Sequence, residues 1–349
     1  MMVDKENSFE WKLFSPTLKY NDWDSMLQDL DGHNIFQSSL WGNYKKCNGW
    51  IPRHIILLNS DREVIYAFQA LSKIIFKLVN IIWVPGGISY HSENAKKINI
   101  QDAIRPMIKA SIGENTIYNY FRINFCQNGY FHNKIYKNRI LFKPKVKINS
   151  GLTIIIDINK TDEELLMSMR KKHRYYVRKA LKENLQWDYS INEKNINDYF
   201  YAQNIMVENK GLKSQLLSLE DFKLLFNHMS DSIVMISGRY KEQLVSACVI
   251  FIFGNKAFYY KAVTTTIGRE RNSSYAMIFK SIIHLKSLGI TKFDFGGIDP
   301  DNIKAKGVDH FKKGFGGYIT DDLGELDWSK NILLRLIMNI GISYKKNNF

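Results

Sequence analysis

One order of segments runs through the chain twice. In the second half, Ser232–Gly238 and Leu244–Phe253 are β-branched, apolar runs joined by the polar turn Arg239–Gln243, which predicts a hairpin. A third strand is expected over Lys256–Val263, followed by a polar loop, Thr264–Ser274. Across Tyr275–Ser287, Met277, Ile278, Ile282 and Leu285 recur at helical spacing; Gly289 ends the run, and Thr291–Phe295 is a short strand closed by Gly296-Gly297. The first half follows the same order. Pro52–Leu58 and Val64–Leu71 form a hairpin around Asn59–Glu63. Then come a strand at Asn80–Val84, a loop at Pro85–Asn99, a helix at Ile100–Ile112 and an alternating strand at Tyr118–Phe125. Helical material precedes each set, at Trp23–Leu30 and Asp162–Asn184. No residue-by-residue identity ties the halves, so the repeat is architectural. It restricts the chain to two similar α+β units, each a mixed, mostly antiparallel sheet flanked by helices.

The Pro-, Lys- and Gly-bearing segment Lys143–Gly151 is the expected junction. The first unit is then 1–150 and the second 151–324, with 325–349 folding back on the first. A 45% hydrophobic share is that of a globular chain and excludes a disordered or fibrous one. The net charge of +15 points to anionic partners. Part of it is a uniform Lys-rich background, and part is concentrated over Arg170–Lys182 and Lys304–Lys313. Cys47, Cys126 and Cys248 are few and far apart, which fits a reducing cytoplasm rather than a disulfide framework. The polar start MMVDKENSFEWK lacks the basic flank and apolar run of a signal peptide. No run approaches the roughly 18 to 20 apolar residues of a membrane span. Near the end, Asn331, Arg335 and Asn339 recur every four residues in the otherwise apolar Ile332–Ile342. Either this helix docks on the body of the protein or, helped by Lys345-Lys346, it rests on a membrane surface. The scattered histidines form no H-x-x-x-H or H-E-x-x-H pair, so no metal site is expected.

The strand–strand–strand–helix–strand order resembles the GNAT acyltransferase fold, here as a tandem pair. Three segments resemble the Fem family, the aminoacyl-tRNA-dependent transferases that build peptidoglycan cross-bridges, and its FemAB-like relatives. They are Phe36-Gln37-Ser38-x-x-Trp41-Gly42-x-x-Lys45 with Gly49-Trp50; the basic run Lys172-x-Arg174-x-x-x-Arg178-Lys179-Ala180; and Phe293-Asp294-Phe295-Gly296-Gly297, followed by Gly307 and Phe311-Lys312-Lys313-Gly314-Phe315-Gly316-Gly317. The family's Arg–Tyr pair for a muramyl-pentapeptide is not found in Lys210–Phe226, and a long inserted helical hairpin is also missing. Both departures bear on the acceptor.

Acyl transfer to an amine needs a neutral, close amine, a stabilised oxyanion and a partner for the leaving group's charge. By resemblance, Lys312 meets the leaving or phosphate-bearing part of the donor and Phe311 shapes the donor slot. Lys45 matches the position that holds the acceptor's phosphates, and Tyr260, preferred over Tyr259, a substrate-contacting tyrosine. Asp294 orients an amine or only caps a turn. Arg170, Arg174 and Arg178 share one helical stripe, suited to an anionic donor or to solvent. A GNAT coenzyme loop would fall at Thr264–Ala276, and Gly268-Arg269-Glu270-Arg271-Asn272 does not match it. The resemblance therefore implies an enzyme with no bound cofactor that uses aminoacyl-tRNA as co-substrate. Its acceptor would be an amine of a phosphorylated or lipid-linked envelope precursor, reached in the cytoplasm or at the inner membrane face. An acyl-CoA donor acting on an amino sugar or amino acid of a surface polysaccharide is the alternative, and a non-catalytic RNA-binding protein the reading from another class. DNA is not among the implied partners.

Overall fold

The apolar hairpins of both halves lie in two seven-stranded sheets, each one strand in from an edge. The protein is seen in a computed structural model that describes residues 9–17, 19–96, 98–112, 117–125, 140–209, 218–321 and 324–347. Cys126 and 210–217 lie outside the described residues. The chain divides into two compact units, Met1–Gly151 with Asp321–Asn347, and Leu152–Thr320.

The first unit opens with β1 (Glu10–Leu13), α1 (Trp23–Gln28) and α2 (Ser39–Cys47). Strands β2 (Ile51–Leu58), β3 (Val64–Ile75) and β4 (Val79–Val84) follow, then β5 (Ser89–Tyr90), α3 (Ser92–Ala95), α4 (Ile100–Ile112) and β6 (Tyr118–Phe125). Strands β1 to β4 pair antiparallel, and β4 pairs parallel with β6 after the α3–α4 crossover. One face of this sheet, with Ile55, Phe68, Ile82 and Phe121, packs on Ile104, Met107 and Ile108 of α4.

The second unit repeats the plan. After β7 (Leu152–Asp157) come α5 (Asp162–Ser168), α6 (Lys171–Leu181), β8 (Gln186–Asp188), α7 (Glu193–Asn209) and α8 (Leu219–Met229). The hairpin β9 (Ile233–Tyr240) and β10 (Gln243–Phe253) is joined by β11 (Lys256–Thr264). Helices α9 (Thr266–Glu270) and α10 (Ser273–Ser287) cross over to β12 (Lys292–Ile298), parallel to β11. Then follow α11 (Lys306–Lys313) and β13 (Tyr318–Asp321). The sheet order is β13-β7-β12-β11-β10-β9-β8. The chain then returns to the first unit as β14 (Gly324–Trp328), antiparallel to β6, and α12 (Ile332–Asn347).

Four departures from the sequence reading have physical causes. The span Asp162–Asn184 is two helices, because Met169 and Arg170 are extended between them. The interval between the basic helix and β9, to which the sequence pattern assigns no element, contains β8, α7 and α8. The basic segment carrying Lys312, to which no periodicity assigns an element, is the helix α11. Strand β14 was hidden by Glu325 and Asp327, both buried; a buried carboxylate needs a partner. Glu325 pairs with the buried Arg122, whose guanidinium also donates to the Val146 carbonyl (2.6 Å). Asp327 pairs with Arg335 (2.9 Å).

Candidate active site

In β12 the run Phe293-Asp294-Phe295 alternates, as a strand must. Phe293 and Phe295 enter the core beneath α10, and Asp294 turns to the opposite face. There its Oδ1 accepts hydrogen bonds from the Thr153 hydroxyl and from the Gly296 N–H (2.8 Å). Burial raises the Asp294 carboxyl above its ordinary range, while those two hydrogen bonds and the charge of Lys312 act the other way. Pairing with β7 shifts register between Asp294 and Gly297, and Gly296 has φ +78°, a conformation that costs glycine least. This break leaves the Gly297 carbonyl to accept from Lys312 Nζ at 2.8 Å.

Helix α11 aims that lysine. On its inner side, the buried Asp309 accepts from the Asp299 N–H at 3.0 Å. The Phe311 ring contacts Phe315, Tyr275 and Phe295 at centroid distances of 5.0, 5.1 and 6.3 Å. With Phe311 anchored in the core, its neighbour Lys312 points to the glycine pair, its ammonium 5.9 Å from the Phe295 ring. Burial lowers the Lys312 pKa, opposed by the negative charges of Asp294 and Asp309. Sequence reasoning did not single out His173, which locks this arrangement. A carbonyl only accepts, so His173 Nε2 carries the proton and donates to Phe311 O at 3.0 Å. The ring lies so close to Gly314 that a Cβ there would overlap it. Burial depresses the His173 pKa, which keeps the ring neutral.

On β11, Tyr259 packs edge-on against Phe293 and Phe295, on the core face. Tyr260 stacks on Phe251 at 4.3 Å, on the face of Asp294. A bulge opposite Val249 and Ile250 then puts Lys261 on that same face, because Lys261 pairs with Val249 and Tyr259 with Ile250. Simple alternation hid Lys261. Its ammonium is 5.5 Å from the Tyr260 ring, and burial lowers its pKa. It forms no ion pair among the described residues.

The other sequence candidates fall elsewhere. Arg174 Nη1 donates to the carbonyls of Met167 (2.8 Å) and Met169 (3.1 Å), closing the C-terminus of α5, and Arg178 meets Glu163 at the surface (3.3 Å). Both guanidinium groups thus brace the α5–α6 joint. Arg170, Lys171, Lys172, Lys179 and Lys182 are exposed. In the first unit, Lys45 holds its ammonium 4.5 Å from the ring of buried Trp41 and 5.1 Å from Tyr44. The residues around it are architectural. Ser38 caps α2 by accepting from the Trp41 N–H (3.1 Å), and buried Gln37 accepts from the Gln69 N–H (2.6 Å). Gly42 lies where a Cβ would overlap Gln69. Cys248 is not a nucleophile: burial pushes its thiol up to about 12.

The model of the FemAB family matches residues 183–339, which include β12, α11 and the glycines after it. A curated relative aligned over nearly the whole chain agrees. It is the Lipid II:glycine glycyltransferase of Staphylococcus epidermidis, 24% identical over 387 aligned positions, covering 88% of this chain and 91% of that protein. Both comparisons make the chain similar to FemAB proteins. Among solved structures, this chain is similar to FemX, with a TM-score of 0.77 at 19% identity, covering 90% of this chain and 97% of FemX. It is also similar to a tandem GNAT protein from the clavulanic acid biosynthesis pathway, with a TM-score of 0.51 at 7% identity, covering 93% and 99%. The fold is therefore a tandem GNAT architecture.

Proposed function

We propose that this acyltransferase moves an aminoacyl group from a charged tRNA to an amine of a phosphorylated, lipid-linked cell-envelope precursor, at the cytoplasmic side of the membrane. The observation that carries this reading is the seat of Lys312, a half-buried cation fixed by Phe311 and His173 against the Gly296-Gly297 break. In the reaction the acceptor nitrogen attacks the ester carbonyl carbon and a C–N bond forms. The carbonyl oxygen becomes an oxyanion. Its collapse breaks the ester C–O bond, and the ribose oxygen leaves with a proton while the amine loses one. Lys312 stabilises the charge that develops on oxygen, an effect typically of about 10²–10³ in kcat for one such donor. Phe311 shapes the donor slot and Asp294 orients the amine. Lys261, whose pKa burial lowers, is suited to accept the amine's proton. Tyr260 contacts the acceptor.

The donor assignment draws on two features. The segment where a coenzyme phosphate loop would lie is the short helix α9, and Gly268 in it packs so tightly on the Val245 carbonyl that a Cβ would overlap it. The exposed cations of α6 suit a polyanionic RNA backbone. The acceptor class follows the similarity to the FemAB family model and the name of the staphylococcal relative. Incubating the protein with labelled aminoacyl-tRNA and lipid II, against labelled acyl-CoA and amino sugars, tests the reading. Label should reach lipid II from tRNA. Turnover with acyl-CoA alone would overturn the donor assignment.

A further inference from the structure

Helix α12 is amphipathic the wrong way round for a protein surface in water. Its polar residues Arg335 and Asn339 would ordinarily face solvent, as Asn331 just before the helix does. Instead Asn339 is buried: it donates to Asp327 Oδ2 (2.8 Å) and accepts from the Val146 N–H (3.1 Å). Arg335 turns inward to Asp327 and lies 4.4 Å over the Phe142 ring. Asp327 is fully buried and also receives the Tyr120 hydroxyl (3.2 Å). The inward polar contacts fix the rotation of the helix. Its outward face is therefore apolar: Leu333, Ile337, Ile340 and Tyr344 follow at intervals of four, three and four residues, each between 62% and 73% exposed. Ile332 is exposed beside them.

From Asn331 to Tyr344 the only charged residue is Arg335, which is turned in. Exposed Lys330 precedes the stripe, and the sequence continues from Tyr344 into Lys345-Lys346. An apolar stripe with cations at both ends and a tyrosine at its margin complements an anionic lipid surface, with side chains among the acyl chains and lysines at the headgroups. A second copy of this helix is a poor occupant. Antiparallel pairing would bring Lys330 against Lys345-Lys346, and parallel pairing would set like ends together.

We propose that the face Leu333–Ile337–Ile340–Tyr344 of α12 docks this protein on an anionic membrane surface. The purpose of the docking rests on the reading above that the acceptor is lipid-linked; the geometry does not. The test is co-sedimentation with vesicles of phosphatidylcholine, with or without one-quarter phosphatidylglycerol, containing no acceptor and no tRNA. The wild-type chain should bind the phosphatidylglycerol vesicles, more strongly at low salt. Ile337→Glu/Ile340→Glu should weaken that binding at least tenfold with an unchanged circular dichroism spectrum and Tm, since both side chains are exposed. Binding by the variant equal to wild type, or no binding by the wild type, would overturn the proposal. So would a wild-type dimer in light scattering that the variant abolishes. Vesicle binding without aminoacyl transfer would refute the functional reading and leave the docking face standing.

Discussion

Lys312 holds its ammonium 2.8 Å from the carbonyl oxygen of Gly297, where β12 breaks register with β7. The lysine is pinned from both sides. Phe311 sits in an aromatic cluster with Phe295, Phe315 and Tyr275, and His173 donates to the Phe311 carbonyl. A cation fixed before the reaction needs no reorganisation when charge develops on the substrate oxygen.

The His173 ring lies against Gly314, so Gly314→Ala should destabilise the protein by about 1–3 kcal/mol, the usual range for overpacking a fitted site. Thermal or urea unfolding measures it. Adding His173→Ala should return part of the loss, because the overlap is then relieved. If the two losses simply add, the contact does not act as described.

Arg174 and Arg178 should separate. Arg174→Ala removes two hydrogen bonds to the end of α5 and should cost about 1 kcal/mol or more. Arg178→Ala removes a solvent-exposed pair with Glu163 and should cost about 0.5 kcal/mol or less. Urea midpoints at constant m-value report both.

His54 stacks on Trp23 at 4.3 Å and its Nε2 is 3.0 Å from Gln69 Oε1. Burial lowers its pKa from 6.5 to about 4. The unfolded chain therefore binds the proton first, and stability contributed by neutral His54 is lost as pH falls from 6.5 towards 4. The full effect is about 3 kcal/mol at most. His54→Gln should flatten this segment of the stability–pH curve. An unchanged slope in the variant would assign the dependence to carboxylates.

Lys261 acts as proton acceptor only when neutral. Turnover should rise with pH until its lowered pKa is passed. Lys261→Met should lower kcat and remove that rise while leaving Tm close to wild type. A variant with the same profile would exclude Lys261 from the proton path.

The repeated strand order was legible because its strands and helices carry regular apolar periods. Strand β14 was not, since the partners of Glu325 and Asp327, Arg122 and Arg335, come from other elements. Within the site, Phe311 and Lys312 stood out through a family motif and not through periodicity; eight residues with two lysines at the end look like a solvated loop. His173 carried no signal, because Gly314, which explains it, is remote in sequence. Lys261 was hidden by a bulge, a one-residue shift that no period-two reading anticipates. The polar stripe of α12 was plain in the sequence, and its inward rotation was not.

The most direct measurement is single-turnover transfer of a labelled aminoacyl group from tRNA to lipid II by the wild type and by Lys312→Met. Transfer by the wild type is expected, with the variant slower by about 10²–10³. Its affinity for the donor and its Tm should be nearly unchanged. A variant that transfers at the wild-type rate would contradict the account.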